Sequence, residues 1–231
     1  MRRITVAIDG FSSSGKSTMA RELARRTGYV YVDSGAMYRA VTLYAMEHGL
    51  ISEERKIDVA GLIKALPYIH ISFQPAGEDG VQHTLLNGRD VERQIRSLEV
   101  SEMVSPVAQI PEVRERMVAL QQEFGKQGGI VMDGRDIGTT VFPNAEMKVF
   151  VDASPEERAR RRVKELREKG EDVDYDRVLE NVRERDHIDS TREVSPLRKA
   201  PDAEVLNNDT ITPDEQMDWL MNLFESRTHG I

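Results

Sequence analysis

The 231-residue chain has no cysteine. That excludes a disulfide framework and any thiolate metal site. Long apolar runs are missing too: no stretch of roughly 18 apolar residues occurs, so no segment is expected to cross a bilayer as a helix. The opening stretch Met1–Asp9 is apolar over too short a length, and too soon interrupted, for a secretory leader. Net positive charge is also absent. A formal charge of -8 argues against sequence-independent binding to nucleic acid, which needs a basic face, although it leaves room for a local basic cleft. The five histidines, His48, His70, His83, His187 and His229, lack metal-ligand spacing and read as surface or packing residues. The expectation is a soluble, cytoplasmic, monomeric protein.

The 39% of apolar residues suffices for a packed core, and the length suits one core domain carrying an insertion. Ile4–Ile8 is a short β-branched run ended by Asp9 and Gly10, as in a strand buried on both faces. A helix is predicted over Lys16–Thr27, stopped by Gly28. A strand over Tyr29–Val32 ends at Asp33, and a helix over Ala36–His48 buries Tyr38, Val41 and Ala45. Strand and helix alternate from the outset, which predicts a parallel sheet. The alternation breaks between Leu66 and Asp90, where Tyr68–Phe73 and Val81–Leu86 flank a turn containing Pro75, Gly77 and Gly80. That pattern predicts an antiparallel hairpin, followed by a helix over Val91–Val104.

Parallel order resumes with a helix over Glu112–Phe124, its stripe formed by Val113, Met117, Leu120 and Phe124. Strands follow at Gly129–Met132 and Met147–Val151. Ser154, Pro155 and Glu157 open a helix reaching Gly170, and another spans Asp174–Asp189. A strand at Glu204–Asn207 leads to a helix capped by Thr212, with Met217, Leu220, Leu223 and Phe224 inward. The predicted fold is α/β, a three-layer P-loop fold with a central five-stranded parallel sheet. To it are added a small antiparallel insert over 67–105 and a helical lid with its following helix over 154–192.

The run Gly10, Phe11, Ser12, Ser13, Ser14, Gly15, Lys16, Ser17, with Thr18 continuing into the helix, matches G-x-x-x-x-G-K-[ST] and sits between a strand and a helix, the context this motif requires. Its backbone N–H groups can curl around phosphate, and the helix N-terminus adds partial positive charge. Lys16 is placed to reach the β- and γ-phosphates of ATP and the Ser17 hydroxyl to ligate Mg2+. A glycine-rich turn with a surface lysine is the plainer alternative. A nucleotide switch would carry the guanine-reading Asn-Lys-x-Asp, and Asn207-Asn-Asp209 lacks the lysine. A small-molecule kinase needs arginines for an acceptor phosphate and others over the donor, and the chain has both sets.

Ser34 and Arg39 follow the second strand, beyond whose carboxyl end ligands of such sheets bind; a helix cap and a solvated arginine would look the same. Asp133, Arg135 and Asp136 at another strand end form either an ion-pair network or a recognition loop. Arg185, Asp189 and Arg192 share a face if their helix continues to Arg192, as would a surface salt-bridge ladder. Arg158, Arg161 and Arg162 share another face, either solvated or closing over a triphosphate.

Taken together, Asp33-Ser-Gly-Ala-Met-Tyr-Arg39, Asp133-Gly-Arg-Asp-Ile-Gly138, Ser154-Pro-Glu-Glu-Arg-Ala-Arg-Arg161, and Arg185-Asp186 with Asp189 and Arg192 resemble bacterial cytidylate kinases. The resemblance covers nearly the whole chain and includes the hairpin insertion. Phe11, Ser14 and Ile188 depart from the common pattern. The resemblance implies transfer of phosphoryl from ATP to CMP or dCMP. It assigns Arg39, Arg135 and Arg192 to the acceptor phosphate, Ser105, Arg114 and Asp136 to the cytosine ring, Arg185 and Asp189 to the sugar, and Arg158 and Arg161 to the lid. A carboxylate suits cytosine because it accepts from the N4 amino group, whereas uracil presents an oxygen there. A kinase for another small phosphate-bearing acceptor, or a nucleotide-binding module without transfer, is the alternative.

Overall fold

The computed structural model describes residues 3–74 and 82–229. In chain order it contains β1 (Thr5–Gly10), α1 (Lys16–Thr27), β2 (Val30–Asp33), α2 (Ser34–Glu47), α3 (Val59–Ala65), β3 (Ile71–Gln74), β4 (His83–Leu86) and β5 (Arg89–Asp90). These are followed by α4 (Leu98–Ala108), α5 (Pro111–Gly125), β6 (Ile130–Gly134), β7 (Met147–Asp152), α6 (Pro155–Glu168), α7 (Tyr175–Thr191), β8 (Glu204–Asn207) and α8 (Pro213–His229). The chain divides into two compact units, one made of Met1–Asp33 with Leu120–Ile231, the other of Ser34–Ala119.

The first unit is built on a five-stranded parallel sheet in the order β2-β6-β1-β7-β8. Side chains alternate across a strand, so Val6 and Ile8 of β1 share a face with Val131, Met147, Val149, Val151 and Leu206. Met19, Ala20 and Leu23 of α1 and Met217, Leu220 and Phe224 of α8 close over that face. Each such side chain contributes about 1.5–3 kcal/mol when fully buried. The register places Asp33 opposite Asp133 and Asp9 opposite Gly134, so several carboxylates gather where the central strands end.

Helix α1 starts and stops as its sequence implies, with Gly28 left-handed at φ 69° after Thr27. Ser154 caps α6, and Thr212 and Glu215 exchange bonds at the start of α8. The second unit holds the antiparallel sheet β3-β4-β5, with Ile71 opposite Leu86. The predicted turn at Pro75, Gly77 and Gly80, with Val81, lies outside the described residues.

Four expectations need correction. The helix expected over Val91–Val104 is instead a 3-10 turn at Gln94–Arg96 followed by α4, because extended Ser97 breaks the path and its hydroxyl accepts from Val100 N. Phe124 is 36% exposed although its stripe is geometrically sound; periodicity gives a direction, not a guarantee that something covers it in the last turn. Helix α7 runs to Thr191, two residues past the expected end at Asp189, but stops short of Arg192, whose backbone is not helical (φ -56°, ψ 144°). Helix α2 begins at Ser34 itself, two residues before the expected start. Short α3 and two-residue β5 had no clear sequence pattern.

Candidate active site

The phosphate-loop residues leave the end of β1, the central strand of the sheet. Gly10 has φ 152°, and a Cβ there would collide with the Val151 carbonyl oxygen of β7. Gly15 has φ 92°, and a side chain would strike Asn208. Ser13 takes a left-handed φ of 57° without being glycine, a strain of about 1 kcal/mol that the surrounding loop holds. The Ser12 and Ser14 hydroxyls are buried with no protein partner, as polar groups in a ligand-facing loop often are. Asn208 donates to the Ser14 carbonyl at 2.7 Å.

Lys16 opens α1, is 5% exposed, and donates to the Phe11 carbonyl at 2.9 Å. Burial pushes its ammonium down to about 7, and Arg135 adds repulsion, while Asp133 and Asp33 oppose both. Ser17 donates to Asp133 Oδ2 at 2.7 Å, and Tyr31 donates to Oδ1 of the same carboxylate at 2.8 Å. Burial, with Asp33 nearby, raises the Asp133 pKa. A hydroxyl and a carboxylate therefore meet beside Lys16 at the start of α1. Thr18, next along the helix, is exposed.

A second cluster joins the loop after β6 to α7. Arg135 donates to Asp189 at 2.9 Å. Arg192 lies 3.6 Å from Asp136 and 3.6 Å from Asp189. Burial lowers the Arg185 pKa to about 10, with Arg135 adding repulsion. For Asp189 burial acts upward, yet Arg135, Arg185 and Arg192 together hold its pKa below the usual value. Arg185, Asp189 and Arg192 are thus buried rather than a solvated ladder, and Asp189 and Arg192 pair with the β6 loop. A cluster that gathers Arg135, Arg185 and Arg192 around Asp189 can favour an anion.

Arg158 is 1% exposed. It donates to the Ala153 carbonyl at 2.8 Å and the Ser12 carbonyl at 3.3 Å, pairs in bidentate fashion with Asp186, and lies 5.0 Å from the centre of the Phe11 ring. Arg161 reaches the carbonyls of Ser14 and Asn208. Both arginines therefore bond to carbonyls of the phosphate loop. Arg162 pairs with Glu165.

In the second unit Arg39 donates to the Ile95 carbonyl at 3.0 Å. Arg114, 2% exposed, donates to the Ala108 carbonyl at 3.2 Å and lies 5.3 Å from the Tyr38 ring centre. Ser34 and Ser105 are buried.

Sequence reasoning missed Asp9, Tyr31, Asp33, Asp186 and Asn208. Asp9 and Asp33 read only as strand terminators, though a carboxylate at the carboxyl end of a parallel strand is itself a signal. Asp186 lay hidden inside the Arg185-Asp186 pair. Tyr31 and Asn208 had no local pattern.

Among the described residues no group of three or more histidine or acidic side chains is placed to hold a metal, and no helix is long and apolar enough to cross a membrane.

The sequence profile of the family described as Cytidylate kinase matches residues 6–226. A protein of Bacteroides fragilis named Cytidylate kinase is 58% identical over 221 residues, 96% of each chain. One of the same name from Phocaeicola vulgatus is 56% identical over 230 residues, 100% of each chain. A crystal structure of an uncharacterized protein from Eubacterium ventriosum aligns with TM-score 0.52 at 12% identity, over 97% of this chain and 99% of that one, a likeness of fold.

Proposed function

Because this chain belongs to the cytidylate kinase family, we propose that it moves the γ-phosphoryl group of ATP onto CMP, and onto dCMP, releasing ADP and CDP or dCDP. The observation that carries this reading is a formed phosphate loop around buried Lys16 with a second cluster of Arg135, Arg185 and Arg192 beside it. A binding module for a triphosphate alone has no use for the second cluster.

In the reading we favour, Gly10 to Thr18 hold the donor phosphates, and the Lys16 ammonium lies against the β- and γ-oxygens. Ser17 and Asp133 offer oxygen atoms, which suits a hard cation that keeps most of its water and takes its remaining oxygens from phosphate. Magnesium, when bound, would neutralise phosphate charge. Arg39, Arg135 and Arg192 orient the acceptor phosphate, Ser105, Arg114 and Asp136 read the base, and Arg185 and Asp189 hold the sugar, with Ser34 in the same set. Arg158 and Arg161 support the donor side. The nucleophile is an acceptor phosphate oxygen, already ionised at neutral pH, so no general base is required. Its bond to the γ-phosphorus forms as the β–γ bridging bond breaks, and ADP carries away the electron pair. Positioning and charge neutralisation therefore dominate the catalysis. We place the enzyme in the cytoplasm as a monomer.

Incubation with Mg-ATP and CMP, followed by separation of the nucleotides, is expected to give CDP and ADP in equal amounts. ADP without CDP would make the protein a hydrolase.

The depressed Lys16 pKa has a measurable consequence. With that pKa near 7 in the unliganded protein, the amine is largely neutral at pH 8, and a polyanionic donor raises its pKa. Binding of Mg-ATP at pH 8 is then expected to take up protons from solution. Calorimetry in buffers of different ionisation enthalpy measures this; equal heats in all buffers would contradict it.

A further inference from the structure

Asp136 stands at the amino-terminal cap of the single π-turn Ile137–Val141, and its carbonyl accepts from Thr140 N at 2.8 Å and Val141 N at 3.2 Å. The first N–H groups of such a turn have no partner inside it. An aspartate at this position normally satisfies them with its own side chain. Here the Asp136 carboxylate does not cap its turn and lies instead 3.6 Å from Arg192. The capping is done from another strand: Asp9 Oδ1 accepts from Ile137 N at 2.8 Å, and Oδ2 accepts from Gly138 N at 2.7 Å. Asp9 is 4% exposed and directly precedes Gly10, the first residue of the phosphate loop. Keeping a carboxylate there has a cost, because burial raises its pKa to about 7 against the pull of the two N–H groups. Hydrophobic packing alone gives no reason for a carboxylate at this point.

We propose that Asp9 is a positioning residue that caps the Ile137–Val141 turn in place of Asp136, and so keeps the Asp136 carboxylate available to the acceptor base. The inference rests on the base-reading role given to Asp136 above. Without Asp9, the N-cap residue Asp136 is the side chain that such a turn ordinarily uses to accept from its first N–H groups, and turning to do so would draw its carboxylate away from Arg192. The same contact ties the acceptor-reading loop to the strand that launches the phosphate loop, so one carboxylate sets both.

Asp9→Asn keeps the shape of the side chain but turns an N–H2 toward one of the two donors. It is expected to raise the KM for CMP about tenfold, as loss of a charge-assisted buried hydrogen bond does, with the KM for ATP changed less than about threefold. Preference for CMP over UMP should narrow. In an Asp136→Ala background the same change should add little, since the two act through one carboxylate. Gly138→Ala perturbs the contact from its other side, because a Cβ there would sit 3.3 Å from Asp9 Oδ2, and should give the same acceptor-selective pattern more weakly. The amide-proton shifts of Ile137 and Gly138 report the cap directly, whichever acceptor is used, and should move in Asp9→Asn. Unmoved amide shifts, an ATP KM that rises as much as that for CMP, or full additivity with Asp136→Ala would overturn the proposal. If the parent enzyme shows no CMP-dependent turnover, the kinase reading fails while the amide shifts still test the cap.

Discussion

Lys16→Ala is expected to lower turnover by more than roughly a hundredfold while the protein stays folded. In the proposed reading the ammonium of buried Lys16 is the cation that the loop aims at the donor. Arg158 and Arg161 are engaged with backbone carbonyls, including those of Ser12 and Ser14. Stability should not follow activity downward. Burial holds the Lys16 pKa near 7, against 10.5 for a free lysine. Below pH 7 the folded state therefore bears the full cost of a buried ammonium, and that cost fades as pH rises from 7 toward 10.5. Alanine removes it, so the Tm at pH 7 should stay level or rise. Near-normal turnover in a folded variant would refute the phosphate-loop assignment.

Asp136→Ala should reduce kcat/KM for CMP by about a hundredfold and leave ATP binding nearly unchanged. Two losses combine. On the proposed assignment the base loses the acceptor for its N4 amino group, and buried Arg192 keeps Asp189 but loses Asp136. Asp136→Asn separates them, because an amide can offer either an oxygen to cytosine or an N–H2 to the uracil oxygen. That variant should lose CMP activity and gain relative activity with UMP. A loss confined to ATP affinity would show that Asp136 serves the donor side.

Most of the strand and helix order was readable because buried parallel strands leave unmistakable β-branched runs and because caps such as Gly28, Ser154 and Thr212 mark the ends of helices. The phosphate loop was legible for the same reason: one contiguous stretch encodes its curvature, its donors and its lysine. The second cluster is different in kind. Arg135 and Asp189 meet across 54 positions in sequence, a pairing that no local spacing encodes; the resemblance put both on the acceptor side without pairing them. Asp9 is the extreme case. Its partners are backbone N–H groups 128 and 129 residues away, so its sequence shows nothing beyond a strand end. Ser97 illustrates the opposite failure, where one capping hydroxyl outweighed a continuous helical pattern. Arg192 lies just past the end of α7, so the condition for a shared helical face is not met, yet it sits beside Asp189 because ion pairing does not require helical backbone.

The most direct test of the acceptor assignment is ADP release from Mg-ATP with CMP, dCMP, UMP, AMP and GMP supplied one at a time. Strong stimulation by CMP and dCMP with little from the others is the expected result. Stimulation chiefly by AMP or GMP would contradict it, leaving a phosphoryl-transfer enzyme whose base-reading residues had been misassigned.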